Sequence, residues 1–193
     1  MTARFVDALD RAERDLDAFT AGFTLFLEAT RAEQGAFDER THQERGIAEQ
    51  VDTAEQIRAL HCGTQWMTED GRTRLGYHGP RVQDATSVRS TPHVLSGLWK
   101  TLADARDAAV SEANASTSNP LIFPRDSGGY EFVIGGNWAA THLGEHMDKL
   151  NAQLTNLAVL SEGLSGRLMD PEWSYGLPAN LAGGSSRSPT TGT

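Results

Sequence analysis

Apolar residues recur along two stretches of this chain at steps that alternate between four and three. In the first, Phe5, Leu9, Ala12, Leu16, Phe19, Phe23 and Phe26 keep that rhythm, while Asp7, Arg11, Arg14, Asp15 and Asp17 fall between them. Such spacing lines one side of a helix with apolar groups and leaves the charges elsewhere, so it predicts a helix over about residues 3–33. In the second, Leu143, Met147, Leu150, Leu154, Leu157, Leu164 and Leu168 predict another helix over roughly 139–169. At ~1.5 Å per residue each is ~45 Å long, more than a small globule covers. Both need partners along their full length, and a bundle completed by other subunits is the economical answer.

A third helix is predicted over about 92–114, where Val94, Leu98, Leu102, Ala105 and Ala109 share a face. Pro92 suits its first turn and Thr91 its N-cap. Asn119-Pro120 lies beyond its end, because a residue before proline is pushed out of the helical region. Leu121-Ile122-Phe123 and Tyr130-Glu131-Phe132-Val133-Ile134 flank Asp126-Ser127-Gly128-Gly129, the pattern of a β-hairpin. Residues 34–53 and 68–82 are polar and aperiodic and read as loops, with a helix near 53–62. From Ala182 to Thr193 no large apolar residue is available to bury, so the folded unit is expected over 1–181 and an unstructured tail after it. The expected class is mainly α: long antiparallel helices with one small β-hairpin.

Composition narrows the function classes. A net charge of −9 disfavours binding to a phosphate backbone, which needs clustered Lys and Arg. No apolar run approaches the ~20 residues of a membrane span, and no secretory h-region opens the chain. The single Cys62 excludes an internal disulfide and suits a reducing cytoplasm. Asn114-Ala115-Ser116 fits a glycosylation sequon, which has no use without secretion.

The densest chemistry lies in Arg81-Val82-Gln83-Asp84-Ala85-Thr86-Ser87-Val88-Arg89-Ser90-Thr91-Pro92. An amide, a carboxylate, hydroxyls and two guanidiniums share twelve residues there. The order Gln-Asp-x-x-Ser-x-Arg-x-x-Pro resembles the substrate-carboxylate segment of the aromatic amino acid lyases, the histidine and phenylalanine ammonia-lyase family. Further matches follow in the family's order: Asn114-Ala115-x-Thr117-x-Asn119-Pro120-Leu121-Ile122-Phe123, Gly135-Gly136-Asn137-Trp138 and Gly176-Leu177-Pro178. Upstream, Ala36-Phe37-Asp38-Glu39-Arg40-x-His42 is similar to the family's corresponding loop. The resemblance runs from about residue 25 to 181 and covers a middle slice of a family member.

That resemblance implies an ammonia-lyase-like helical bundle, assembled as a homotetramer whose active sites draw on more than one subunit. It implies non-oxidative removal of ammonia from an aromatic or imidazole amino acid, or the related amine shift of an aminomutase. Arg89 takes the place of the arginine whose planar fork holds the substrate carboxylate. Gln83 matches a glutamine beside the electrophile and the amine, and Asn137 and Trp138 stand where an aromatic packs near the substrate ring. Thr86 departs from the family, which has tyrosine there; a threonine hydroxyl is shorter and hardly titrates. The family's electrophile is a methylidene-imidazolone formed from Ala-Ser-Gly, placed upstream of this segment, and no Ala-Ser-Gly occurs here. The expectation is therefore a chain that supplies the carboxylate anchor to a neighbour or a complementing N-terminal segment, and is inactive alone.

Two other readings compete. One makes Arg89 a structural partner of Asp84 and the chain a non-catalytic relic or helical assembly module. The other takes His142-Leu143-Gly144-Glu145-His146 as the H-x-x-E-H zinc-hydrolase pattern, with Glu162 as third ligand. Metal binding is not expected, because the lyase resemblance already accounts for this helix.

Overall fold

A computed structural model describes residues 1–74 and 83–182. Their helices are α1 (Thr2–Thr30), α2 (Glu39–Arg45), α3 (Ala48–Leu60), α4 (Glu69–Arg74), α5 (Thr86–Arg89), α6 (Thr91–Ala113) and α7 (Thr141–Met169). The strands β1 (Leu121–Pro124) and β2 (Tyr130–Val133) form an antiparallel hairpin that pairs Leu121 with Val133 and Pro124 with Tyr130. Short 3-10 turns occupy Gln34–Phe37 and Ala179–Leu181.

The long helices follow the apolar rhythm. On α1, Phe5, Leu9, Ala12, Leu16, Phe23 and Phe26 are buried, and Phe19 packs at the margin. Thr20, Thr24 and Thr30 lie on the same side, and each turns its hydroxyl back onto the carbonyl four residues earlier, which removes the cost of burying it. On α6, Leu95, Leu98, Leu102, Ala105 and Ala109 are buried at the centre of the molecule, against α1, α3 and α7. Arg106 of α6 reaches Asp10 and Glu13 near the start of α1, at 2.9 and 2.7 Å. At the other end of the same seam, the residues before α6 meet the segment after α1, so the two helices run antiparallel. Likewise Asp104 meets Lys149 at 3.3 Å while Gly97 faces Gln153, so α7 also runs antiparallel to α6.

Three elements depart from the sequence reading. Residues 34–53, expected as loop, hold a 3-10 turn, α2 and the first part of α3. Asp38 caps α2 by accepting the Arg40 backbone N–H at 2.9 Å, and Gly46 ends it in the left-handed conformation at φ 71°. The Arg40 guanidinium, which donates to both Asp38 oxygens at 2.9 and 2.6 Å, and then its backbone N–H lower the pKa of the Asp38 carboxyl to about 2. Apolar periodicity missed these helices because what they bury includes His42, Gln50 and Thr53. In the expected loop 68–82, α4 forms after the Thr68 hydroxyl accepts the Gly71 N–H at 3.0 Å. Ser90, not Thr91, precedes α6, and the Thr91 hydroxyl donates to the Ser87 carbonyl at 2.8 Å, tying α5 to α6. The expected tail beyond Ala182, and Arg81 and Val82 of the motif, lie outside the described residues.

The periphery is open. α7 buries only a narrow stripe of leucines, and Val159 stays exposed. The hairpin presents Ile122, Phe123, Tyr130, Phe132 and Ile134 outward.

Candidate functional site

Two turns and two helices meet where α1 ends and α6 begins, and they leave a cleft of about 400 Å³. Glu33, His42, Gln83, Asp84, Arg89 and His93 line it. Asp84, only 3% exposed, is its frame. One carboxylate oxygen accepts the Glu33 backbone N–H at 2.6 Å, tying the motif to the segment after α1. Its backbone carbonyl accepts Arg89 Nε at 2.8 Å across the short helix α5. Arg89 does meet Asp84, then, but through the carbonyl. One edge of the guanidinium is held, and its terminal amines make no hydrogen bond among the described residues. That arrangement orients a planar fork and leaves two parallel donors available to an anion.

Glu33 and His42, two further polar groups of the cleft, are already engaged. Glu33 forms an ion pair with Arg72 at 2.7 Å. His42, 1% exposed, uses both ring nitrogens: Nδ1 lies 2.8 Å from Gln50 Nε2 and Nε2 lies 3.1 Å from the Ala36 carbonyl. With Gln50 donating to Nδ1, Nε2 is the nitrogen that donates to the Ala36 carbonyl. The Oε1 of buried Gln50 is left without a partner among the described residues. His93, on the first turn of α6, stands 6.0 Å from His42, ring centre to ring centre. Burial, then the nearby His42 and Arg45, lower its pKa, so its ring is neutral at physiological pH.

The structure thus brings Gln83 and Arg89 to one cleft. Thr86, exposed at the start of α5, is not among the residues that line it; its carbonyl accepts the Ser90 hydroxyl at 2.7 Å. Asn137 and Trp138 stand at the foot of the hairpin, away from this cleft. Asn137 donates to the Ser116 carbonyl at 3.3 Å, Asn119 accepts the Gly135 N–H at 3.1 Å, and Trp138 is 66% exposed. These bonds hold the hairpin's base and leave the indole unpacked. The sequence reading overlooked His93. Its signal was a histidine four residues after Arg89, on the helix turn that follows it.

The zinc reading fails on geometry. His142 is 89% exposed at its side chain and lies 3.9 Å from Glu145, and no group of three metal-ligating side chains occurs among the described residues. Glu162 sits on the same straight helix as His146, ~24 Å further along at ~1.5 Å per residue, and cannot share its ion. No helix among the described residues is long and apolar enough to cross a membrane.

Comparison with known proteins identifies the family. The aromatic amino acid lyase family model matches residues 1–191. Histidine ammonia-lyase of Bacillus thuringiensis subsp. konkukian is 34% identical over 174 residues, which is 89% of this chain and 32% of the relative. That of Geobacillus kaustophilus is 36% identical over 158 residues, 82% of this chain and 29% of the relative. Among solved structures, tyrosine aminomutase from Streptomyces globisporus superposes with a TM-score of 0.82 at 30% identity, covering 95% of this chain and 37% of that one. Phenylalanine aminomutase of Pantoea agglomerans shares the fold at a TM-score of 0.84 and 24% identity, covering 97% and 38%. This chain belongs to the aromatic amino acid lyase family. It spans about a third of the length of the relatives it matches.

Proposed function

We propose that this chain contributes the substrate-carboxylate anchor of an amino acid ammonia-lyase or aminomutase, with Arg89 as the anchor and Gln83 beside it. The carrying observation is the half-held guanidinium: Asp84 fixes its Nε edge, and its terminal amines make no hydrogen bond among the described residues of a polar cleft. A carboxylate meeting two parallel N–H donors gains charge-assisted hydrogen bonds and a fixed orientation at once. Thr86 in the family's tyrosine place gives the motif no phenol, and its shorter alkyl hydroxyl lacks the acidity of a group with a pKa of about 10. Asn137 and Trp138 complete a pocket formed with another subunit or with further segments of the protein, because the indole is bare here. The exposed faces of the hairpin and of α7 support the same assembly. The family's imidazolone supplies an electrophile for the substrate amine. No Ala-Ser-Gly occurs in these residues, so the ring is not theirs to form.

The test is binding of a bare carboxylate, 3-phenylpropionate or 3-(imidazol-4-yl)propionate, to the wild-type chain and to Arg89→Lys. Lysine keeps the charge and loses the fork, so affinity should fall by roughly ten- to a hundredfold, the ~1.5–3 kcal/mol of a charge-assisted bond. The melting temperature should hold, and equal affinity in the two proteins would remove Arg89 as the anchor.

A further inference from the structure

We propose that His93 accepts a hydrogen bond from the α-ammonium group of the amino acid whose carboxylate Arg89 holds, making this cleft selective for α-amino acids over the same acids without the amine. The inference rests on the carboxylate reading of Arg89 and extends it to the other charged end of the substrate.

Four observations carry it. His93 and Arg89 line the same cleft of about 400 Å³, a space in which the two charged groups of one zwitterionic amino acid reach both. His93 is exposed, so its ring is reachable by a ligand. Three other groups are engaged, Glu33 with Arg72, Asp84 with the Glu33 N–H, and both nitrogens of His42 with Gln50 and Ala36, which leaves His93 and the Gln83 amide as the acceptors of the cleft. Finally, burial, then His42 and Arg45, lower the pKa of His93, so its neutral imidazole offers a nitrogen lone pair to a cationic donor. The charged groups facing this ring are Arg45 from α2, Arg89 from α5, and Glu33 and Asp84 from the segments between helices. Burial, then His42 and Arg45, keep the imidazole unprotonated.

Isothermal titration of the chain with l-phenylalanine and with 3-phenylpropionate separates the two ends. Wild type should bind the amino acid roughly tenfold more tightly, the worth of one hydrogen bond to a charged donor. His93→Ala should abolish that preference and leave 3-phenylpropionate affinity as it was. His93→Gln, which keeps an acceptor, should restore part of it. On the wild-type chain, the imidazole resonances of His93 should shift with l-phenylalanine and stay in place with 3-phenylpropionate. Circular dichroism confirms that each variant is folded. A preference that survives in folded His93→Ala overturns the role of His93 while leaving Arg89 intact. If 3-phenylpropionate fails to bind wild type, or binds Arg89→Lys equally well, the carboxylate reading falls and this inference falls with it.

Discussion

The seam between α1 and α6 and the β-hairpin are built from the same kinds of residue and end in opposite states. Along the seam Phe5, Leu9, Leu16, Leu98 and Leu102 are all but inaccessible, and polar side chains are absorbed by hydrogen bonds to their own helix. In the hairpin Phe123, Tyr130 and Phe132 are as apolar, the register is regular, and every one of them faces solvent. Local sequence therefore suffices to form both elements, but burial needs an opposing surface that only the seam finds within these residues. The candidate site residues divide the same way. Arg89 is oriented by Asp84 from within the chain, whereas Trp138 is left bare beside a well-bonded Asn137.

Truncation should break the comparison most sharply. Leu98→Ala, at the crossing of α6 with its neighbours, removes a fully buried side chain and should cost ~2–5 kcal/mol through lost transfer energy and the cavity left behind. Phe132→Ala removes a larger side chain from the hairpin and should change stability by less than ~0.5 kcal/mol, because little surface leaves water there. Urea unfolding of both variants checks it, and comparable losses would mean that the hairpin is covered in solution. Next in size is Asp84→Ala, which strips the Glu33 N–H of its acceptor and should cost ~1–3 kcal/mol. Binding of 3-phenylpropionate should weaken with it. Retained affinity would show that the cleft does not depend on that frame.

The unequal completeness also explains what could be read from sequence. α1, α6, α7 and the hairpin were legible because apolar spacing reports a face to be buried. α2 and the first turns of α3 were not, since their buried positions hold His42, Gln50 and Thr53, whose burial depends on hydrogen bonds that only the folded chain supplies. Gln83 and Arg89, close together in the motif, also line one cleft. The motif's spacing could not show that Arg89 meets the carbonyl of Asp84 and not the carboxylate, nor that His93 joins the cleft across the α5–α6 junction. Nor could order along the chain bring Asn137 and Trp138 to that cleft, since what positions the hairpin is not its own sequence.

Glycine substitution sharpens the contrast at smaller scale. Gly22 lies on α1 where the α1–α7 groove is open, and a Cβ built there meets nothing within 4 Å. Gly22→Ala should therefore gain ~0.5–1 kcal/mol from helix propensity alone. Gly71 is buried on α4, and a Cβ there would lie 2.1 Å from the Gln65 carbonyl oxygen. Gly71→Ala should reverse the sign and lower the melting temperature. A loss in both variants would mean the groove beside Gly22 is occupied in solution.

The smallest expected effect is on pH dependence, and it again separates closed from open. Burial lowers the pKa of His61 from the ordinary 6.5, with Glu28 partly opposing, and the ring lies against Phe37 beneath α3. A base with a depressed folded pKa binds its proton more readily once unfolded. Stability is thus complete above about 6.5 and declines as pH falls below that value towards the folded pKa. His93 is shifted in the same direction, mainly by burial. Asp38 and Asp104, held low by Arg40 and Lys100, lose their contributions only below the ordinary carboxylate value of 3.8, a separate window. Unfolding followed between neutral pH and about pH 5 therefore reads the histidines. His61→Leu should flatten that slope by removing a buried base. His93→Gln should flatten it less, because the His93 ring already reaches water. An unchanged slope in His61→Leu would mean that the His61 site admits the proton without penalty, and that the closed side of the molecule is less closed than its packing implies.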